Sequence, residues 1–237
     1  MSITSFPGDI ISHAQMCVEE GGVILQRGMN YKLKGGTSVI LMSQRTGSPY
    51  ADVVFENGKI LIYEGHDVPK NVHSIPKTVN QQLHSPKGTL TENGKFFKAA
   101  DCFKKDECNA ELVKVYEKIK DGIWSYNGVF ELIDAWEEKN GIRNVFKFKL
   151  SITDKTIDQR ENRGFELNDL EHNRLIPSSV KLEVWKRDKG VCRSCGSNTN
   201  LHYDHILPYS KGGTSLRSEN IQLLCARHNL QKRDKII

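Results

Sequence analysis

The 237-residue chain has no long apolar run: mean hydropathy is −0.51, and nothing approaches the ~18 consecutive apolar residues that a membrane-spanning helix needs. An integral membrane protein is thereby excluded. Met1 to Glu20 lacks a basic stretch followed by an apolar one, and it carries Asp9, His13 and Glu19 where a secretion signal is greasy. A cytoplasmic location is expected. Cysteine is sparse, with six residues, three of them scattered (Cys17, Cys102 and Cys108), so no disulfide framework is expected in a reducing compartment. Internal repeats and low-complexity tracts are absent, and the net charge is only +5.

That small charge is unevenly placed. Residues 181–237 hold 11 Lys and Arg against 5 Asp and Glu, whereas residues 1–180 hold 23 against 24. A positive carboxy-terminal quarter on a near-neutral remainder is the pattern of a module that meets a polyanion such as nucleic acid. Cys192, Cys195 and Cys225 fall in the same quarter. With 38% hydrophobic residues, the chain has material for one large domain or two small ones.

Strand patterns fill the first 150 residues. Asn144 to Ile152 alternates, with Phe146, Phe148, Leu150 and Ile152 on one face and Val145, Lys147, Lys149 and Ser151 on the other. Val129 to Trp136 alternates after a Tyr126-Asn127-Gly128 sequence read as a turn, with Trp124 and Trp136 assigned to the core. Asp52 to Phe55 and Ile60 to Tyr63 flank Asn57-Gly58 as a hairpin, and Ser38 to Ser43 is a short apolar strand. Helices are expected over Ser12 to Glu20 and Val79 to Leu83. Ser151 to Ile176, with 10 charged residues in 26, reads as a linker with a short helix in Glu166 to His172.

The clearest chemical signal is Cys192-Arg-Ser-Cys195 paired with Cys225-Ala-Arg-His228, 29 residues apart. Two residues between ligands let a tight turn aim both side chains at one ion, and four such ligands describe a closed structural zinc site. Between the pairs lie Leu201-His202-Tyr203-Asp204-His205-Ile-Leu-Pro208, Lys211-Gly212-Gly213 and Glu219-Asn220, and after them come Asn229 and Lys232. This arrangement resembles the HNH endonuclease family over about residues 177–235. The resemblance implies His205 as general base, Asp204 and Asn229 as ligands of a catalytic Mg²⁺ or similar divalent ion, and Asn220 as the residue that orients the His-bearing loop. His228 stands where a fourth Cys is more usual, which leaves open whether His228 or Asn229 lies nearer the catalytic ion. His202 reads as a solvated strand residue.

Phosphate contacts carry no sequence information, so target choice is expected in the first 150 residues. There Val39 to Met42, Ser48-Pro-Tyr50-Ala-Asp52, Leu61-Ile-Tyr63-Glu64-Gly65, Tyr126-Asn127-Gly128 and Val145 to Leu150 follow in order. This order is similar to the SRA (SET and RING associated, or YDG) domain, which flips a modified cytosine into an aromatic pocket. The resemblance implies a base pocket of Tyr50, Asp52, Tyr63 and Glu64. A flipped base needs aromatic plates, here Tyr50 and Tyr63, and an acceptor for the cytosine N4 amino group, here Asp52. Glu64 stands where the family often has Thr, and Asn127 replaces the Asp of the Tyr-Asp-Gly motif, as a near equivalent in a turn.

The expected fold class is therefore α+β: an SRA-like twisted β-barrel or sheet domain with small helices (1–150), a charged linker (151–176) and a ββα-metal HNH domain with a structural zinc site (177–237). Together the resemblances imply a modification-dependent, type IV-like restriction endonuclease of a prokaryotic cell, acting on double-stranded DNA that carries 5-methyl- or 5-hydroxymethylcytosine. No membrane partner is expected, and a homodimer would supply two cuts. The alternatives are an HNH nuclease reading unmodified sequence, a non-catalytic modified-DNA reader with a zinc module, and an RNA substrate.

Overall fold

The structure, a computed structural model, describes residues 5–34, 36–55, 59–153, 176–208 and 211–232. Most of the expected linker, its helix at Glu166 to His172 and the Asn57-Gly58 turn lie outside the described residues. Ten strands and four α-helices are described, an α+β fold as expected. The helices are α1 (His13–Glu19), α2 (Glu92–Lys104), α3 (Ser178–Arg187) and α4 (Ala226–Lys232).

The first domain is built on β1 (Ile10–Ser12), β2 (Met29–Asn30), β3 (Ser38–Met42), β4 (Val53–Phe55), β5 (Ile60–Glu64), β6 (Glu111–Lys120), β7 (Ile123–Asn140) and β8 (Arg143–Ile152). They form one sheet in the order β2-β3-β6-β7-β8-β5-β4, with β1 also on β7; every pairing is antiparallel except β3 with β6. The long β7 makes this possible, since its first half pairs β6 and its second half pairs β8. The expected 52–63 hairpin is present as β4 and β5. Phe146, Phe148 and Leu150 point into the main core with Phe130, Leu132, Val113, Val115 and Phe96 of α2; each large apolar side chain so buried contributes about 2–3 kcal/mol. The opposite face of β8 is covered as well: Val145 is buried, and Lys147 is buried in an ion pair with Glu64.

Three expectations change, and one helix was not foreseen. Tyr126-Asn127-Gly128 is not a turn: it lies inside β7, where Val115 pairs Gly128 and Tyr116 pairs Tyr126, leaving Asn127 as the extra residue of a β-bulge. A second irregularity between Leu132 and Asp134 shifts the alternation, so that Ala135 turns inward while Trp136 is only half-buried and donates its indole N–H to Glu138. Val79 to Leu83 is not helical; Gln81 instead straps this segment to β8, its N–H bonding Asn144 O and its side-chain oxygen accepting from Phe146 N–H. The helix that does form, α2, starts at the N-cap Thr91, whose hydroxyl accepts from Gly94 N–H. Its first turn, Glu92-Asn93-Gly94, reads locally as a turn, which hides the helix.

The second domain is small. The hairpin of β9 (Leu201–His205) and β10 (Ile221–Cys225) packs against α3 and α4 around Val180, Val184, Leu201, Tyr203, Ile221, Leu223 and Leu224. So little core leaves room for a bound ion to contribute to the fold.

Candidate active site and base pocket

Cys192 and Cys195 lie in the turns after α3, Cys225 ends β10, and His228 lies one turn into α4. Their ligand atoms all lie within 4.8 Å of one another. Cys192 Sγ is 3.6 Å from His228 Nδ1, Cys195 Sγ is 3.9 Å from Cys225 Sγ, and Cys225 Sγ is 3.2 Å from His228 Nδ1. A tetrahedron with zinc–sulfur bonds of about 2.3 Å has edges of about 3.8 Å, so the cluster has the dimensions and the soft donors of a zinc site. Burial raises the Cys192 thiol, but backbone N–H bonds outweigh it and hold the group down at about 6, which favours the ligating thiolate. His228 belongs to this cluster, and Asn229 is the next residue on the helix.

Asp204 and His205 end β9. Register places Gln222 opposite Asp204, and Gln222 Nε2 donates to Asp204 Oδ2 at 3.0 Å. Lys232, on α4 and 1% exposed, puts Nζ 3.0 Å from the same oxygen and also bonds the carbonyl of His205. One ammonium thus holds both predicted catalytic positions. Its burial shows that it faces inward.

His205 Nε2 lies 2.8 Å from Ser215 Oγ. Asn220 bonds the loop beyond it three times: Oδ1 accepts from Leu207 N–H, and Nδ2 donates to Leu207 O and Thr214 O. Gly213 permits this closure, because a Cβ there would collide with Leu207 O. Asn229 is half-buried on α4. Asp204 and Asn229 offer oxygen donors of the hard type that Mg²⁺ prefers. Ser215 and Gln222 were not anticipated, and Lys232 entered the sequence analysis without a role. Cross-strand counting finds Gln222, and the i, i+3 spacing from Asn229 finds Lys232, but nothing local marks Ser215.

In the β domain, Tyr50, Asp52 and Tyr63 line one cavity of about 630 Å³, within the roughly 300–1,000 Å³ range of small-molecule sites. Its walls come from the end of β3, the 45–50 loop, β5 and the β6–β7 corner, with Leu41, Ser43, Arg45, Lys118 and Trp124 beside the three. Gly28 lets the Tyr63 hydroxyl approach, since a Cβ there would overlap it. Asp52 is 8% exposed; its two oxygens accept from Ser43 N–H at 3.1 Å and Glu64 N–H at 3.2 Å. Burial pushes its carboxyl up to about 7 against the pull of those two donors. Tyr50 stacks on His66 and carries Lys77 Nζ 4.2 Å from its ring centre. Burial pushes His66 down to about 4, so the ring beside Tyr50 is neutral at pH 7.

Glu64 does not join them. It is 1% exposed and turned into a buried cluster, 2.9 Å from Lys147 Nζ and 3.4 Å from Arg143 Nη2. β5 is a strand, so Tyr63 and Glu64 face opposite sides. His202 also departs from expectation: it forms a β-bridge with Asp9, whose Oδ1 lies 2.5 Å from His202 Nδ1.

The family model described as HNH endonuclease matches residues 192–235, which make up most of the carboxy-terminal unit, hereafter the HNH domain. No curated protein matches the chain. Among solved structures, it is similar to the SRA domain of SUVH5 in complex with hemi-methylated CG DNA, at 25% identity over 65% of this chain and 95% of that one, with a TM-score of 0.43. It is similar to the Type IV phosphorothioation-dependent restriction endonuclease ScoMcrA at 14% identity over 98% of this chain and 56% of that one, with a TM-score of 0.43. Arabidopsis thaliana SUVH6 aligns at 17% identity over 67% of this chain and 27% of that one, with a TM-score of 0.40. Among the described residues no helix is long and apolar enough to cross a membrane.

Proposed function

We propose that this chain, whose residues 192–235 match the HNH endonuclease family, is an SRA-like, modification-dependent DNA endonuclease of a prokaryotic cytoplasm. It takes a flipped 5-methyl- or 5-hydroxymethylcytosine into the β-domain cavity and hydrolyses a nearby phosphodiester bond. The observation that carries the reading is the convergence of Tyr50, Asp52 and Tyr63, from separate segments, on one cavity in a chain that also holds an HNH domain. Glu64 is proposed as a support of the pocket through Lys147 and Arg143.

At the pocket, the aromatic rings replace lost base stacking and Asp52 accepts from the N4 amino group. At the cutter, His205 removes a proton from the attacking water. The tautomer that donates its Nε2–H to Ser215 Oγ carries its lone pair on Nδ1, and Asn220 holds the loop that follows the base in place. Asp204 and Asn229 would hold the divalent ion, which when bound neutralises charge on the phosphate. Cys192, Cys195, Cys225 and His228 would hold zinc as a structural element.

One HNH site cuts one strand, so double-strand breaks need two copies, which favours a homodimer on DNA. The test is digestion of methylated and unmethylated copies of one plasmid with Mg²⁺ and with a chelator. Cutting of the methylated copy alone is expected; equal cutting means that the β domain reads unmodified sequence. RNA cut in preference to DNA in direct competition would overturn the substrate class, and cutting unchanged in His205→Ala would overturn the active site.

A further inference from the structure

The β domain and the HNH domain meet at the bulge in β7. Gly8 N–H donates to Tyr126 O at 2.8 Å, and Gly8 O accepts from Tyr203 N–H of β9 at 3.1 Å, so one residue hydrogen-bonds to both domains. Asp9 then bridges His202, Ile10 packs on the HNH core, and Ile10 to Ser12 pair with β7. Gly128 lies against Pro7 of the same segment. The second link is Lys181 of α3, 1% exposed, whose Nζ is 2.8 Å from Glu117 Oε2 of β6 and 2.6 Å from Asn127 Oδ1. Asn127 Nδ2 donates to Glu117 at 3.2 Å, and both Glu117 and Asn127 are buried.

We propose that the Tyr126-Asn127-Gly128 bulge is a docking bracket and Lys181 the side chain that keys into it, so that reader and cutter act as one body and the break falls at a fixed distance from the recognised base. The clause about distance rests on the proposed function; the docking does not. A lysine is rarely buried unless paired, and burial lowers the basicity of Lys181 while Glu117 opposes that fall. Against a well-packed apolar alternative such a pair adds little net stability, and its use is to specify one arrangement. The bracket also explains the amide at 127. Asparagine accepts from the ammonium and donates to the Glu117 carboxylate at once, which an ionised aspartate cannot do. The position of the key reaches the chemistry, because Tyr203 OH donates to Lys181 O at 3.0 Å and the next residues are Asp204 and His205.

The experiment maps cut positions on an end-labelled duplex carrying a single modified cytosine, beside amide hydrogen exchange on the intact protein. The parent should cut at one narrow position, and the Gly8 and Tyr203 amides should be as protected as those of β7. Lys181→Met, and the charge-free pair Lys181→Met with Glu117→Gln should the single variant fold poorly, should keep preference for the modified duplex while the dominant product breaks up over neighbouring bonds. Rapid exchange at Gly8 and Tyr203 in the folded parent overturns the docking. A scattered parent pattern, or folded variants that cut at the parent position, overturns the fixed distance. Cutting that ignores the modification refutes the functional reading and leaves the exchange result to decide the docking.

Discussion

Two carboxylates, the buried Asp52 and the half-buried Asp204, show how differently the two domains hold an acidic side chain. Asp52 is fixed by backbone N–H groups at the ends of β3 and β5, within an eight-stranded sheet whose core holds Phe96, Phe130 and Phe148. Asp204 is fixed by two side chains, Gln222 and Lys232, in a unit of one hairpin and two short helices. The first arrangement is neutral in charge and leaves the carboxyl poised near 7. The second brings a cation to the carboxylate. The β domain thus holds its carboxyl with uncharged donors inside a large core, whereas the carboxy-terminal unit holds its own with a cation, in a small core beside the Cys192, Cys195, Cys225 and His228 cluster.

The sharpest way to separate the domains is to remove the zinc ligands. Cys225→Ser should lose the bound zinc, measured by elemental analysis, and with it much of the roughly 10 kcal/mol or more that structural zinc sites contribute. The HNH domain should unfold and cutting should cease, while gel-shift affinity for modified DNA survives. Loss of DNA binding together with cutting would mean that the β domain depends on its partner for folding.

Next in size is His205→Ala, which should slow single-turnover cleavage by roughly 10²–10⁴-fold, the range of a positioned acid–base group, without changing affinity. Lys232→Met leaves Asp204 and the His205 carbonyl without their shared donor and should cost less than the about 3–5 kcal/mol of a fully buried pair, because Asp204 is only half-buried. Because Lys232 sits on α4 of the HNH domain, the loss should show in the thermal transition of that domain and not in base preference.

How much of each domain was legible follows from the same contrast. Two residues between ligands let one turn aim both at a single ion, so Cys192, Cys195, Cys225 and His228 announce themselves, and the Asp204-His205 pair lies between them. The base pocket is assembled from residues on the 45–52 segment and β5, and only their order pointed to it; alternation could have warned that Glu64 faces away from Tyr63. Long-range pairing was out of reach. The bulge at Asn127 and the irregularity beyond Leu132 shift strand phase through contacts with β6 and β8, which no local pattern contains. The burial of Lys181 and Lys232 likewise depends on partners 64 and 27 residues away, which no local pattern contains either.

The smallest predicted effect probes the β domain alone. Asp52 has its carboxyl raised from 3.8 to about 7 by burial, so between those values the folded state binds more protons than the unfolded chain. Stability should therefore fall as pH rises from about 4 to about 7 and level off above. Base recognition should run the other way, because only the ionised carboxylate accepts from the N4 amino group through either oxygen. Affinity for modified DNA should climb as pH rises through 7, by at most tenfold per unit. Asp52→Asn keeps an acceptor oxygen and lacks the titration, so it should flatten both profiles while weakening binding by about 1–3 kcal/mol, the scale of one base-edge contact. A pH profile of affinity unchanged in Asp52→Asn would remove Asp52 from the base edge and leave it as the strap between β3 and β5.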